Sequence, residues 1–138
     1  NRQNLRHLQE LIFDKLSHNL PVKITGPLSL EKRLPGHCSF VVDSMVGEEL
    51  VELADEKGIC ISSVSACSSG GTDPSHVLKC LGLEPNEALG ALRITAGVLN
   101  SEAECLAAVE VIRKLIAENL PANVCSIAQT NYLPGVAV

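Results

Sequence analysis

Four short runs of aliphatic and β-branched residues divide this chain: VKIT at 22–25, CSFVV at 38–42, ICISS at 59–63 and ALRIT at 91–95. Each is too short for a helix, and each is separated from the next by residues of a different period. Residues 4–19 carry Leu5, Leu8, Ile12 and Leu16, with Leu11 beside them, at helical spacing, and this run ends before Pro21. Residues 47–57 predict a second helix with Leu50, Val51 and Ala54 inward and Gly58 at its C′ position. Asp73 as N-cap and Pro74 at the first helical position predict a third, with Val77, Leu78 and Leu81 inward and a stop at Gly82. A short turn follows at 84–87. Ser101 and Glu104 then form a capping box that opens a long helix to Asn119, its inward stripe being Cys105, Val109, Ile112 and Ile116. The segments GPLSLEKRLPG and VSACSSGGT read as loops. This order predicts an α/β domain of the α+β, two-layer kind: a small mixed sheet with helices packed on it.

The 138 residues suffice for one domain. Phe13, Phe40 and Tyr132 are the only aromatics, so Val, Ile, Leu and Ala must fill the core. Net charge is −5 with both signs interspersed, and no basic stripe with interleaved aromatics points to nucleic acid. No apolar run of the length a membrane helix needs is present. The polar start at Asn1–Glu10 does not resemble a secretory signal, and its lack of a Met suggests a chain that begins partway through a longer product.

Cysteines stand at 38, 60, 67, 80, 105 and 125. Cys38, Cys60 and Cys105 lie in apolar stretches, as free buried cysteines do, and no C-x-x-C pair is present. That usage points to a reducing, intracellular location: cytoplasmic, with an organelle left open. A metal cluster of His37, Cys38 and Cys60 lacks ligand spacing, so no metal is expected. Cys67 differs from the others, because SSVSACSSGGTDPS surrounds it with Ser, Ala and Gly in a loop between a strand and a helix start. Such a thiol is reachable, and the thiolate is the reactive form. No Lys or Arg lies within the loop to favour that anion, so from the residues alone Cys67 reads as an ordinary exposed loop thiol.

SSVSACSSG followed by DPSHVLKCLGL and ALRITAG, with RLPGHCSFVV and VGEELVELADEKGI upstream, resembles the C-terminal small domain of pyridoxal-phosphate-dependent (PLP-dependent) cysteine desulfurases and their selenocysteine lyase relatives. The resemblance spans about residues 3–117. It implies the small domain of a fold-type-I PLP enzyme of the class V aminotransferase family, of the type that serves iron–sulfur cluster assembly. It further implies that Cys67 takes sulfur from L-cysteine as a persulfide, leaving L-alanine, and that Arg93 pairs with the substrate carboxylate. A homodimeric full-length enzyme and a sulfur-accepting scaffold protein follow from the same resemblance.

The cofactor residues of the family belong to a large domain with no counterpart here, so the PLP-binding lysine and other cofactor contacts are not assigned. Lys15, Lys23, Lys32, Lys57, Lys79 and Lys114 all read as solvated. The expected division is residues 1–120 as the small domain and 121–138 as a tail, either docking a partner or packing on its own domain. The isolated chain is expected to bind no PLP and to be inactive, as a fragment of the enzyme. Val64 stands where the family has Gly, Ser39 replaces an Asn, and Val98-Leu99-Asn100 departs from the family's Arg and Thr. His37 could face the cofactor cleft, while His76 reads as a local helix-start residue. Two other readings stay open: a stand-alone persulfide carrier or regulatory module, and the small domain of a related PLP aminotransferase or lyase with Cys67 incidental.

Overall fold

The computed structural model describes residues 2–63 and 75–122. Its elements run α1 (Arg2–Ser17), β1 (Val22–Ile24), a 3-10 turn (Leu30–Lys32), β2 (His37–Val42), α2 (Gly47–Asp55), α3 (His76–Cys80), α4 (Pro85–Ala88), β3 (Ala91–Thr95) and α5 (Glu102–Asn119). The strands are ordered β1-β2-β3, and both pairings are antiparallel, so the α+β sheet is antiparallel where a mixed one was expected.

The register sorts the strand residues onto two faces. Val22 lies opposite Val42, Ile24 and Leu92 both lie opposite Phe40, and Cys38 lies opposite Ile94. Directly opposed residues share a face, so this side of the sheet is apolar throughout. Helices α1, α2 and α5 cover it with Leu8, Ile12 and Leu16, Leu50 and Ala54, and the α5 stripe of Cys105, Val109, Ile112 and Ile116, which Leu115 joins. Helix α5 starts where its capping box requires, with Ser101 accepting from the Glu104 amide. Against the other face, Val41 and Ala91 pack with Leu78, Leu83 and Ala88 of the smaller helical layer.

Several elements differ from the pattern read in the sequence. ICISS is not a strand: only Ser62 pairs, as an isolated bridge to Arg93. The residues before it close α2. Gly58, at φ +75°, donates to Asp55 O, and Ile59 donates to Ala54 O at 2.9 Å, which spends Ile59 on the helix end. Helix α2 accordingly ends at Asp55. Helix α1 stops at Ser17, and Asn19 takes a positive φ of 57° on the way to Pro21. The GPLSLEKRLPG loop contains the 3-10 turn, closed by Lys32 N to Ser29 O and Arg33 N to Leu30 O, each 3.1 Å. In α3 only Leu78 is buried. Val77 is 53% and Leu81 48% exposed, because a five-residue helix presents one residue to the sheet. The Asp73-Pro74 start lies outside the described residues, as does the tail beyond residue 122.

Candidate functional site

On the face away from the main core, four polar residues fall in one row across the sheet. Ser39 of β2 lies opposite Arg93 of β3. On one side, the Thr25 amide donates to Ser39 O at 3.0 Å, and the hydroxyls of Thr25 and Ser39 are hydrogen-bonded at 2.6 Å. On the other, Ser62 and Arg93 exchange backbone bonds, Ser62 N to Arg93 O at 3.1 Å and Arg93 N to Ser62 O at 2.7 Å. The row therefore reads hydroxyl, hydroxyl, guanidinium, hydroxyl. Arg93 is the central residue of β3, not an end residue, and is half-buried. Among the described residues no carboxylate pairs with it.

His37 lies on the same face, two residues before Ser39 and opposite Thr95. Gln9, fully buried on α1, fixes the approach to β2: its side-chain amide donates to Leu34 O at 3.1 Å and to His37 O at 2.6 Å. Gly36 precedes His37 at φ +82°, and a Cβ there would stand 2.4 Å from Ala96 O, so this entry into β2 requires glycine. Arg33 folds over the same end of the sheet. It donates to Pro27 O and Thr25 O, both at 2.5 Å, and its guanidinium stacks 4.9 Å from the Phe13 ring centroid.

Between the 3-10 turn, β2 and α3 runs an open cleft of about 260 Å³. Thr25, Ser39, His37, Arg33 and Lys32 supply its polar side, and among the described residues no acidic one lines it. The electrostatics follow from that lining. Burial pushes His37 below its ordinary pKa, the positive charges of Arg93 and Arg33 push it further, and its backbone hydrogen bond opposes them. Burial likewise lowers Arg33, with Cys38 opposing. The cleft is thus built to receive negative charge, in a chain whose net charge is negative.

The cysteines separate by environment. Cys38 is buried and desolvation pushes its thiol up to about 12; burial also raises Cys105. Neither supplies a thiolate near neutrality. Cys60 is exposed, although its apolar neighbours suggested a buried residue, because the run around it does not join the sheet; Cys80 is exposed too. Cys67 and Cys125 lie outside the described residues. Ser62, five positions before Cys67 in the sequence, is bridged to Arg93. His76 is exposed at the start of α3. The roles of Thr25, Gln9, Arg33 and Ser62 escaped the sequence reading. The one available signal was polar residues recurring at the sheet-facing positions of neighbouring strands, which is visible only once the register is known.

No protein-family model matches the chain. Cysteine desulfurase IscS from a type A strain of Clostridium botulinum is 35% identical over 117 residues, covering 84% of this chain and 30% of that protein. Cysteine desulfurase IscS 1 from Archaeoglobus fulgidus is 36% identical over 112 residues, covering 81% and 29%. The chain thus spans about 30% of the length of the curated relatives it matches. Among solved structures, a NifS-like protein superposes with a TM-score of 0.70 at 26% identity, over 85% of this chain and 28% of that one. A NifS-like protein from Rickettsia africae superposes with a TM-score of 0.71 at 24% identity over 83% and 29%, a likeness of fold.

Proposed function

This chain is a partial-length homologue of the cysteine desulfurases, and from that premise we propose that it is the sulfur-accepting domain of such an enzyme. In this reading the enzyme takes sulfur from L-cysteine onto Cys67, releases L-alanine, and passes the persulfide to an acceptor protein of iron–sulfur cluster assembly. It works as a homodimer in the cytoplasm with pyridoxal phosphate as cofactor. The observation that carries the reading is Arg93. It stands in the polar row, without a carboxylate partner among the described residues, and is bridged to Ser62 at the head of the segment that holds Cys67.

The described face does not fit the cofactor. A pyridine nitrogen needs a carboxylate and a PLP aldehyde needs a lysine; among the described residues the cleft has no acidic lining, and Lys32, the one lysine lining it, is exposed. Those contacts belong to the remaining length of the enzyme. What the face does fit is the carboxylate end of an amino acid. A guanidinium offers two parallel N–H donors to a carboxylate, and its place in the middle of a paired strand fixes their direction. Ser39 and Ser62 flank that position from both sides, so the gripped substrate is held against a polar wall.

Cys67 then supplies the nucleophile. Its thiolate sulfur bonds to the substrate sulfur while the carbon–sulfur bond of cysteine breaks. The electron pair goes to the carbon that takes up a proton and becomes the alanine methyl group. The sulfur is oxidised to the persulfide level and the carbon is reduced, so no further oxidant is needed. Small residues on both sides of Cys67 suit a thiol that must reach the substrate and then hand sulfur outward.

The test is Cys67→Ser in the full-length protein, assayed for sulfide release from L-cysteine with a thiol reductant. Loss of release, together with loss of the one-sulfur mass gain on the peptide containing residue 67, is expected. Unchanged release would overturn the assignment.

A further inference from the structure

We propose that His37 is a second carboxylate-binding residue of this site, donating an imidazole N–H to the substrate carboxylate that Arg93 holds. The proposal rests on the desulfurase reading for the identity of that carboxylate. His37 and Arg93 are diagonal neighbours on one face of the β2–β3 ladder, since His37 opposes Thr95 and Ser39 opposes Arg93. Diagonal pairs lie within reach of long side chains. The two guanidiniums beside His37 differ in what they do. Arg33 is committed to Pro27 O, Thr25 O and the Phe13 ring. Arg93 has no carboxylate partner among the described residues, so an arriving carboxylate pairs there. A forked pairing with Arg93 leaves each carboxylate oxygen a further lone pair, and His37, beside the hydroxyls of Ser39 and Ser62, is a neighbouring group able to donate to one of them.

The structure also holds His37 in place for that task. Gln9 bonds its carbonyl, Gly36 sets the turn before it, and its own amide donates to Leu34 O at 3.1 Å. Among the described residues, the charged groups facing it are Arg93 from β3, Lys32 from the 3-10 turn and Arg33 just after that turn. Helix α3 presents the apolar Val77, Leu78 and Leu81, and the end of β1 presents Thr25. Among the described residues every neighbouring charge is therefore positive, and burial together with Arg93 and Arg33 holds His37 below its ordinary pKa. A carboxylate between His37 and Arg93 cancels Arg93's charge and favours protonation of the ring, so binding takes up part of a proton and strengthens as pH falls.

Two measurements test this. In the full-length enzyme, His37→Leu removes the donor, and KM for L-cysteine is expected to rise about tenfold with kcat little changed, the size of one lost hydrogen bond to a charged group. His37→Gln, which keeps an N–H donor, is expected to recover most of that loss and to flatten the fall of KM with decreasing pH. Independently of turnover, acetate is added to the wild-type protein while the His37 ring is titrated by NMR. Acetate is expected to raise the His37 pKa in the wild type and not in Arg93→Gln. An unchanged KM in His37→Leu, or a His37 titration that ignores acetate, would overturn the proposal. Failure of the desulfurase reading appears elsewhere, as sulfide release that survives Cys67→Ser, and leaves the acetate titration able to decide.

Discussion

Cys38 shows how far one residue's chemistry is set by its strand position. It faces the main core opposite Ile94, its Sγ donates to the Gln9 carbonyl at 3.9 Å, and desolvation holds it up to about 12. A thiol that weakly acidic is almost entirely protonated at neutral pH, and the protonated form does not attack an alkylating agent. With the native protein at about pH 8, iodoacetamide is expected to modify Cys60 and Cys80, both exposed, and to spare Cys38 until denaturant is added. Peptide mass mapping of the alkylated protein reads this directly. Labelling of native Cys38 at the rate of Cys60 would contradict the burial that removes it from the chemistry. At the same scale, His37 and Cys38 are chain neighbours on opposite faces. The pleat alone separates a polar site residue from an inert core thiol.

Helix α5 and the ICISS run mark the limits of what periodicity reveals. In α5 the signal was complete: a capping box at Ser101–Glu104 and apolar residues every three or four positions, all buried in the structure. The run at 59–63 had equally good strand composition, yet a local competitor won, because Gly58 and Ile59 satisfy the carbonyls at the end of α2. Composition could not reveal the site row either. Thr25, Ser39 and Ser62 are unremarkable residues until antiparallel register lines them up beside Arg93. The roles proposed for Arg93 and Cys67 rest on the resemblance, and His37 stood in the sequence only as one candidate among several. The α5 cap carries a quantitative expectation. Ser101 Oγ accepts from Glu104 N at 3.2 Å, and the Glu104 carboxylate accepts from Ser101 N at 2.8 Å. Ser101→Ala should cost about 1 kcal/mol in a urea melt. The Ser101 amide, and after it the Ser101 hydroxyl, which donates to the same carboxylate at 3.0 Å, hold the Glu104 carboxyl below its ordinary value. Its contribution is therefore present above the ordinary carboxylate pKa and lost as pH falls through the lowered one. The melt difference between wild type and Glu104→Gln should shrink towards zero in acid, and a constant difference would refute the cap's role.

At the scale of the molecule, the two longest helices come from opposite ends of the described chain, and they close the core together. Leu8, Ile12 and Leu16 of α1 meet Val109, Ile112 and Ile116 of α5 in one cluster over the sheet. Apolar packing alone does not fix how far one helix slides along the other, and here a polar clamp does so. Arg113 of α5 donates to Lys15 O and to His18 O, the second at 2.9 Å. Lys15 lies in the last turn of α1, where helix carbonyls lack intrahelical partners and the dipole favours a cation. The contact spans 98 residues of sequence, so it stabilises only the assembled fold and nothing local. It is exposed, which keeps its contribution modest. Arg113→Met preserves the stem and removes the donors. It should lower stability by about 1 kcal/mol and increase amide exchange at residues 15–19 beyond the change elsewhere. Arg113→Lys, with the charge but not the fork, should fall between the two. Equal exchange throughout the protein in Arg113→Met would mean that apolar packing alone sets the helix register and that the clamp is incidental.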